Sequence, residues 1–556
     1  MRAVPRWGDQ LKQAFAEPNL ARLLLIWGIW VAADWTVVIA TSVLGYQLGG
    51  PAGIGLVGAA RALPGALLSG FVALATDRIS RPRVLAGSQV LLGLVSMTMV
   101  WLAMTRAPLA VLVVVIGVNS VLVAVVRTTV LATVPQVVRT PAELIAANSA
   151  MSTVGGLGTV IGPMVCGVLL SVAGVPAALA FPAAVLVAGA VAARSVKTAF
   201  QPPRHGDVGG WRRALEPMLG FPELVRPRVR VVTGLNLLQL IMRGLLNVFV
   251  VVLAITVLGS DGQAGTLFAA MGVGSAVAAL VVLGTAPQRG IRWFAIGIAL
   301  WGVPVVAIGL WPNAVLAWVA LAVLGAGSAL VDIFGNSQLS RLFRDQVAGR
   351  AWGAFSSMLA GGIAIGAMVA PTLIEQLGLP GAMMASGAVL ALVPLAVWPW
   401  LRRLQEPVDA EALAVLGRVE LLAPLPALVL ERLASASRKV TLADGEFAVR
   451  EGEVGDEFYV VVSGAVSVQR QGREVRTMGP GDGFGEIALL RAVPRTATVR
   501  SVGASTLRSI DRGSFMAAVT GHIGADRTAH GTAEQWLRDD AARDRIDPRG
   551  GPGTEH

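Results

Sequence analysis

The chain has 556 residues, too long for one ordinary domain, and it is 54% hydrophobic but only 14% charged, where a soluble average carries about a quarter. The charge is missing unevenly: from Leu20 to about Trp400 long apolar runs alternate with short polar gaps, and beyond Arg402 the composition is that of a soluble domain. A net charge of +11 suggests a nucleic-acid partner, but its distribution argues against one: the basic residues fall in alternate gaps and not on one basic face with interleaved aromatics.

Cys166 stands alone within an apolar run, so no disulfide framework is available within the chain. His205, His522, His530 and His556 are too scattered for a metal cluster. The first apolar run is long and lacks a small-residue cleavage pattern, which argues against a cleavable signal peptide.

A membrane crossing needs about 20 mainly apolar residues. That length predicts twelve spans, six plus six: 22–45, 53–75, 84–104, 108–132, 146–171 and 175–195, then 231–257, 263–284, 292–310, 314–337, 352–373 and 380–400. The expected divisions are a first six-helix half (1–195), a central loop (196–230), a second half (231–403), a linker (404–412), a C-terminal domain (413–546) and a disordered tail (547–556). Basic residues follow spans 2, 4, 8, 10 and 12 and fill the central loop, from Arg78, Arg81 and Arg83 to Arg402 and Arg403. The positive-inside rule then places both termini and the C-terminal domain in the cytoplasm, with the protein in the cell membrane.

Ionisable or polar groups inside apolar spans are candidates for a transport path. They are Asp34, Arg61, Arg127, Arg243 and Asp332, with Asn236 and Gln239 on one helix face with Arg243, followed by Asn247. Two readings stay open: contact with a substrate or a coupling proton, or structural pairing and, for Arg127 and Asp332, snorkelling.

The loop Asp77-Arg78-Ile79-Ser80-Arg81-Pro82-Arg83, the glycines 155, 156, 158, 162 and 167 with Pro163, and Arg61-Ala62-Leu63-Pro64 resemble the major facilitator superfamily, especially its drug-efflux-like branch. The resemblance covers about 20–400 and implies a proton-coupled transporter in which Asp77, Arg78 and Arg81 control gating; Ala73 stands where the family's glycine would be. The glycine run also reads as ordinary small-residue packing. No phosphate-binding GxxxxGK[ST] loop is present, which leaves ATP-driven pumping by this chain unsupported.

After 404 the pattern changes. Helical segments over 413–435, interrupted at Pro424 and Pro426, precede short alternating runs at 458–462, 465–469, 496–502 and 506–510, punctuated by glycines. This predicts a mainly β roll or jelly roll flanked by helices. The expected fold is therefore an all-α polytopic membrane protein with a small β domain at its C-terminus.

One segment of this domain is specific. Phe484-Gly485-Glu486-Ile487-Ala488-Leu489-Leu490, followed by Arg495-Thr496-Ala497-Thr498-Val499, resembles the phosphate-binding cassette of cyclic-nucleotide-binding domains. The resemblance runs over about 412–520. It implies that Arg495 forks onto the cyclic phosphate, that Glu486 accepts from the ribose 2′-OH, that Gly485, Ile487, Ala488 and Ala497 bring backbone close to the ligand, and that Thr496 meets the base. The implied regulatory ligand is cyclic AMP, with cyclic GMP as the alternative, and no other cofactor is expected. A helix over 532–546 would supply a lid.

Together these features predict secondary transport, as export of an amphiphilic small molecule, regulated by a cytoplasmic cyclic nucleotide. The alternative is a non-transporting sensor or scaffold anchored by a transporter-like membrane part. A channel and an enzyme have least support, since no pore loop, voltage-sensor pattern or nucleophile–base set is evident. The expected partners are the nucleotide, the substrate and the bilayer, with monomer and homodimer both open.

Overall fold

The computed structural model describes residues 15, 17–76, 80–138, 141–196, 220–227, 229–282, 290–343, 347–403, 409–425, 427–491 and 493–520. The chain forms two compact units, Met1–Leu404 and Gln405–His556.

The first unit is helical. Among the described residues, nine helices are long and apolar enough to cross a membrane. In chain order they are α1 (Pro18–Thr76), α2 (Arg81–Thr105), α3 (Leu109–Val137), α4 (Pro141–Arg194), α5 (Arg230–Val252), α6 (Asp261–Val282), α7 (Gly290–Leu310), α8 (Ala314–Leu330, continued by a wider turn and Asn336–Leu342) and α9 (Ala348–Ala396). Where twelve separated spans were expected, nine long helical runs stand among the described residues, because three of them each hold two of the expected spans. The physical reason is local. Three pairs of expected spans are joined with no intervening loop and change direction at glycines: Gly49 and Gly50 in α1, Gly174 in α4 and Gly378 in α9. Gly50 has φ +58° and Gly174 +75°, a region that L side chains rarely adopt. At the α1 break the chain doubles back, so that a Cβ on Gly53 would stand 2.0 Å from the Gly45 carbonyl oxygen.

Helix packing relies on missing side chains. A Cβ on Gly162 of α4 would lie 2.5 Å from the Ala32 oxygen of α1, and one on Gly265 of α6 would lie 2.4 Å from the Gly167 nitrogen of α4. The glycine run of α4 therefore serves close backbone approach on two sides. Contacts between the first four helices and the later ones include Gly167 with Gly262 and Gly265, Gly55 and Gly58 with Ala367, and a Gln47–Asp261 hydrogen bond of 2.9 Å. All of these lie toward the end of the bundle marked by the Gly50 and Gly174 turns.

The second unit carries helices α10 (Ala410–Leu416), α11 (Ala427–Ala436), α12 (Glu486–Arg491) and α13 (Arg512–Thr520) around strands β1 (Arg438–Leu442), β2 (Phe447–Val449), β3 (Glu457–Arg470), β4 (Arg473–Met478), β5 (Gly483–Phe484) and β6 (Thr498–Asp511). The strand order is β1-β6-β3-β4, with β2 on β6 and β5 on β3. The sheet is open: β1 and β4 lie at its two ends and do not pair with each other. This corrects the expected roll or jelly roll to a mixed α/β domain. Gly464, one of the glycines expected to separate short strands, sits inside β3 at φ +84°, and Gly503, in the gap expected between 496–502 and 506–510, sits inside β6 at φ +73°. Beside Gly464 the pairing register shifts, as at a bulge. Two long antiparallel strands, paired from Glu457↔Asp511 to Gln469↔Thr498, replace four short ones.

The alternation of side chains gives the sheet two apolar faces. Phe458, Val460 and Ile510 pack with Leu416, Leu433 and Phe515 of the helices. Val461, Val466, Val499 and Leu507 pack with Val449, Met478 and Phe484 on the opposite face.

Candidate functional site

The cassette segment lines a cavity of about 260 Å³ on the sheet face that carries Val449, Val468, Met478, Phe484 and Val499. All seven residues singled out in the sequence, Gly485, Glu486, Ile487, Ala488, Arg495, Thr496 and Ala497, line this one cavity. Arg495 is 6% exposed. Its Nη2 donates to the Glu457 carbonyl at 2.6 Å and its Nη1 to the Gly485 carbonyl at 3.2 Å. Backbone hydrogen bonds hold the same residue in place, Arg495 N–H to Glu453 and Gly452 N–H to Arg495, both at 2.8 Å. Two glycines make room for the guanidinium. A Cβ on Gly455 would stand 2.6 Å from Nε and one on Gly485 would stand 2.4 Å from Nη1; Gly485 also has φ +96°.

Glu486 opens α12 and is 5% exposed. Its Oε2 is buried with no hydrogen-bond partner in the protein. Burial raises its carboxyl above the usual carboxylate range, against the opposing pull of its own backbone N–H and of Arg476 and Arg495. Tyr459 completes the setting. Its ring stacks on Phe484 at 5.2 Å, its hydroxyl donates to Glu457 at 2.6 Å, and the Arg495 guanidinium lies 5.8 Å from the ring centre. Burial and then the bond to Glu457 push the Tyr459 phenol up to about 12. Thr496 is exposed at the cavity's edge. Glu457, Tyr459, Arg470 and Arg476 were not singled out from the sequence. Their signal was strand alternation, which places Val468 and Arg470 on one side of β3 and Arg476 and Met478 on one side of β4.

A second cavity, of about 790 Å³, lies within the membrane unit. Asp34, Arg61, Arg127, Asn236, Gln239, Arg243 and Asp332 all line it, as does Asn247. Arg61 Nη2 donates to Asp34 at 2.6 Å, both side chains being about a fifth exposed. Arg243 is the opposite charge that acts on Asp332. Asn236 donates to the Val232 carbonyl of its own helix at 2.8 Å, while Arg61 Nη1 and Gln239 Nε2 are buried without partners. Trp30, Trp35, Trp352 and Phe355 supply aromatic wall.

Behind Asp34 lies a void of about 10 Å³ lined by Trp30, Ser96 and Asn119, whose Nε1, Oγ and Nδ2 are buried and unpartnered. Sequence reasoning passed over Ser96 and Asn119, although both are isolated polar residues in apolar runs. Of the gating group, Arg81 starts α2 and donates to the Ala132 carbonyl of α3. Asp77 and Arg78 lie outside the described residues, as does the expected lid at 532–546.

The family model described as Major Facilitator Superfamily matches residues 23–281 and 232–437. The chain belongs to this superfamily. A second model, described as Cyclic nucleotide-binding domain, matches residues 439–522, so the chain fuses a superfamily transporter domain to a C-terminal cyclic nucleotide-binding domain. The solved nucleoside transporter NupG is 13% identical, with a TM-score of 0.58 over 69% of this chain and 99% of its own; that likeness is one of fold alone.

The second unit is similar to short stretches of cyclic-nucleotide-dependent protein kinase proteins. The cAMP-dependent protein kinase regulatory subunit of Dictyostelium discoideum is 42% identical over 91 residues, 15% of this chain and 28% of that protein. The cGMP-dependent protein kinase, isozyme 1, of Drosophila melanogaster is 42% identical over 76 residues, 14% of this chain and 10% of that protein. The chain thus spans between about a tenth and a quarter of these relatives. Neither the superfamily nor the nucleotide-binding domain is catalytic. Among the described residues no group of three His, Cys, Asp or Glu could hold a metal ion.

Proposed function

We propose that this chain is a secondary transporter of the cell membrane, with both termini in the cytoplasm, whose transport of an amphiphilic small molecule is regulated by a cyclic nucleotide. The observation that carries the regulatory part is the pairing, in one cavity, of a backbone-clamped Arg495 with a buried, unpartnered Glu486 oxygen. A guanidinium held by two carbonyls keeps its remaining N–H donors for a phosphodiester, and the carboxylate suits a neutral donor such as a ribose hydroxyl. Glu486 is ill suited to the phosphate, since like charges repel.

Cyclic AMP is the first ligand to test. Cyclic GMP is the second, because the Thr496 hydroxyl at the cavity's edge can donate to its base. Guanine presents two acceptors, O6 and N7, where adenine presents one acceptor and a competing amine.

The membrane cavity supports transport in preference to simple anchoring. Three arginines, two aspartates and an aromatic wall face one space, a costly arrangement for a scaffold. That mixture fits an amphiphile with a charged or polar end. Export driven by protons through Asp34 is the direction and coupling we assign. The packed glycine contacts on the Gly50 side support a state closed toward the exterior. Binding in the cytoplasmic unit regulates transport by favouring one transporter state, which requires different affinities for the two states. Flux of a fluorescent amphiphilic cation in proteoliposomes, with and without nucleotide, tests the reading. Nucleotide-dependent, proton-driven flux is expected, and absence of any flux from folded protein would leave the anchored sensor.

A further inference from the structure

A third cavity, of about 1140 Å³, lies between the start of α2 and the end of α4. Arg83, in the first turn of α2, and Arg194, in the last turn of α4, stand at one end of it. Both side chains are exposed, and the structure records no acidic partner for either among the described residues. Arg22 adds a third cation near this rim, donating to the Ser195 carbonyl at 2.9 Å. Away from the rim the walls are apolar and exposed: Val90 and Leu91 on α2, Val187 and Val191 on α4. Val90 lies seven residues beyond Arg83, which at 1.5 Å per residue places it roughly 10 Å deeper in the membrane.

We propose that this groove binds one anionic phospholipid, its phosphate held between Arg83 and Arg194 and its acyl chains lying along Val90, Leu91, Val187 and Val191. Two unpaired guanidiniums at one rim repel each other, and a phosphodiester between them satisfies both with charge-assisted hydrogen bonds. Basic pockets between membrane helices on the cytoplasmic side suit such headgroups, and the basic loops assign this face to the cytoplasm. A zwitterionic lipid brings its own cation and gains less. A soluble phosphate compound has no use for the four apolar side chains. The site is separate from the central cavity, and none of its lining residues belongs to that cavity.

The test is native mass spectrometry of the full chain in detergent, titrated with phosphatidylglycerol and with phosphatidylcholine of identical acyl chains. Each arginine near the surface contributes about fivefold in affinity. Wild type is expected to retain phosphatidylglycerol at least roughly tenfold better than phosphatidylcholine. The double variant Arg83→Ala, Arg194→Ala loses that preference, and Arg83→Lys with Arg194→Lys recovers part of it. Glycerol phosphate, the headgroup without chains, fails to compete. Equal retention of the two lipids by wild type overturns the proposal, as does an unchanged preference in the double alanine variant. Effective competition by glycerol phphosphate would also overturn it, since the occupant would then be a soluble phosphate. If the double variant does not fold, Arg194→Gln alone, at an exposed helix end, must still reduce the preference.

Discussion

The Arg495 guanidinium donates to the Gly485 carbonyl at 3.2 Å and thereby closes the eleven residues from Gly485 to Arg495 on themselves. The bond works only because position 485 has no side chain and sits at φ +96°, where a Cβ would meet Nη1 at 2.4 Å. The residue proposed to grip the phosphate is thus held by main chain, and its orientation does not wait for the ligand. Pre-ordering of this kind lowers the entropy lost on binding.

Glu486 carries a pH dependence. Its folded carboxyl is raised by burial, so the folded domain holds this proton more readily than the unfolded chain. The stabilising contribution is present below the unfolded carboxylate value and is lost as pH rises through the raised folded value. Glu486→Gln has no such titration. In ligand-free full-length protein, the second unit of wild type should lose stability relative to the variant as pH rises above the ordinary carboxylate range. Thermal unfolding across that rise checks it; a difference independent of pH counts against an ionising, unpaired Glu486.

Asp34 and Arg61 form an ion pair 2.6 Å long on the wall of the membrane cavity. Asp34→Asn should lower proton-driven flux by at least roughly tenfold, equivalent to about 1.4 kcal/mol in the barrier, while leaving folded protein. Arg61→Gln should be partly redundant with it, because the two side chains act as one unit and neighbouring mutations are non-additive. Flux under a pH gradient in the single and double variants measures this. Unchanged flux in Asp34→Asn removes Asp34 from coupling.

The contact between α4 and α6 has a built-in reporter. Cys166, the chain's one cysteine, is fully buried and lies next to Gly167, which Gly265 meets without room for a side chain. Gly265→Leu should force the helices apart. Cys166 should then react with a membrane-impermeant maleimide from outside, where wild type does not. Protection of Cys166 in a folded Gly265→Leu protein would show that this contact does not close the path.

The cassette was legible because its residues are contiguous: Gly485 to Ala497 carries glycine, acid, small residues and arginine in one stretch. The charged lining of the membrane cavity was legible for a different reason, since each ion in an apolar run is costly and stands out. What was illegible depends on register and backbone shape. Arg470 and Arg476 reach the cassette cavity through strand pairing, which no local pattern announces. Gly464 reads as a turn, yet positive φ at Gly464 and Gly503 serves a bulge or bend within a strand as well as a turn, and the strands run on into an open sheet. The breaks at Gly174-Val175-Pro176 and Gly378-Leu379-Pro380 share one spacing, a local mark of the relation between the two halves.

The central claim is that a cyclic nucleotide occupies the cavity between Arg495 and Glu486. Isothermal titration of the full chain in detergent with cyclic AMP and cyclic GMP, for wild type, Arg495→Ala, Glu486→Ala and Thr496→Ala, tests it most directly. A hydrogen bond to a charged group contributes about 1.5–3 kcal/mol, so Arg495→Ala should weaken affinity by at least roughly tenfold. Glu486→Ala should weaken binding and erase discrimination against the 2′-deoxy ligand, and Thr496→Ala should cost cyclic GMP more than cyclic AMP. No binding of either nucleotide at millimolar concentration to folded wild type, or affinity untouched by Arg495→Ala, would contradict the account.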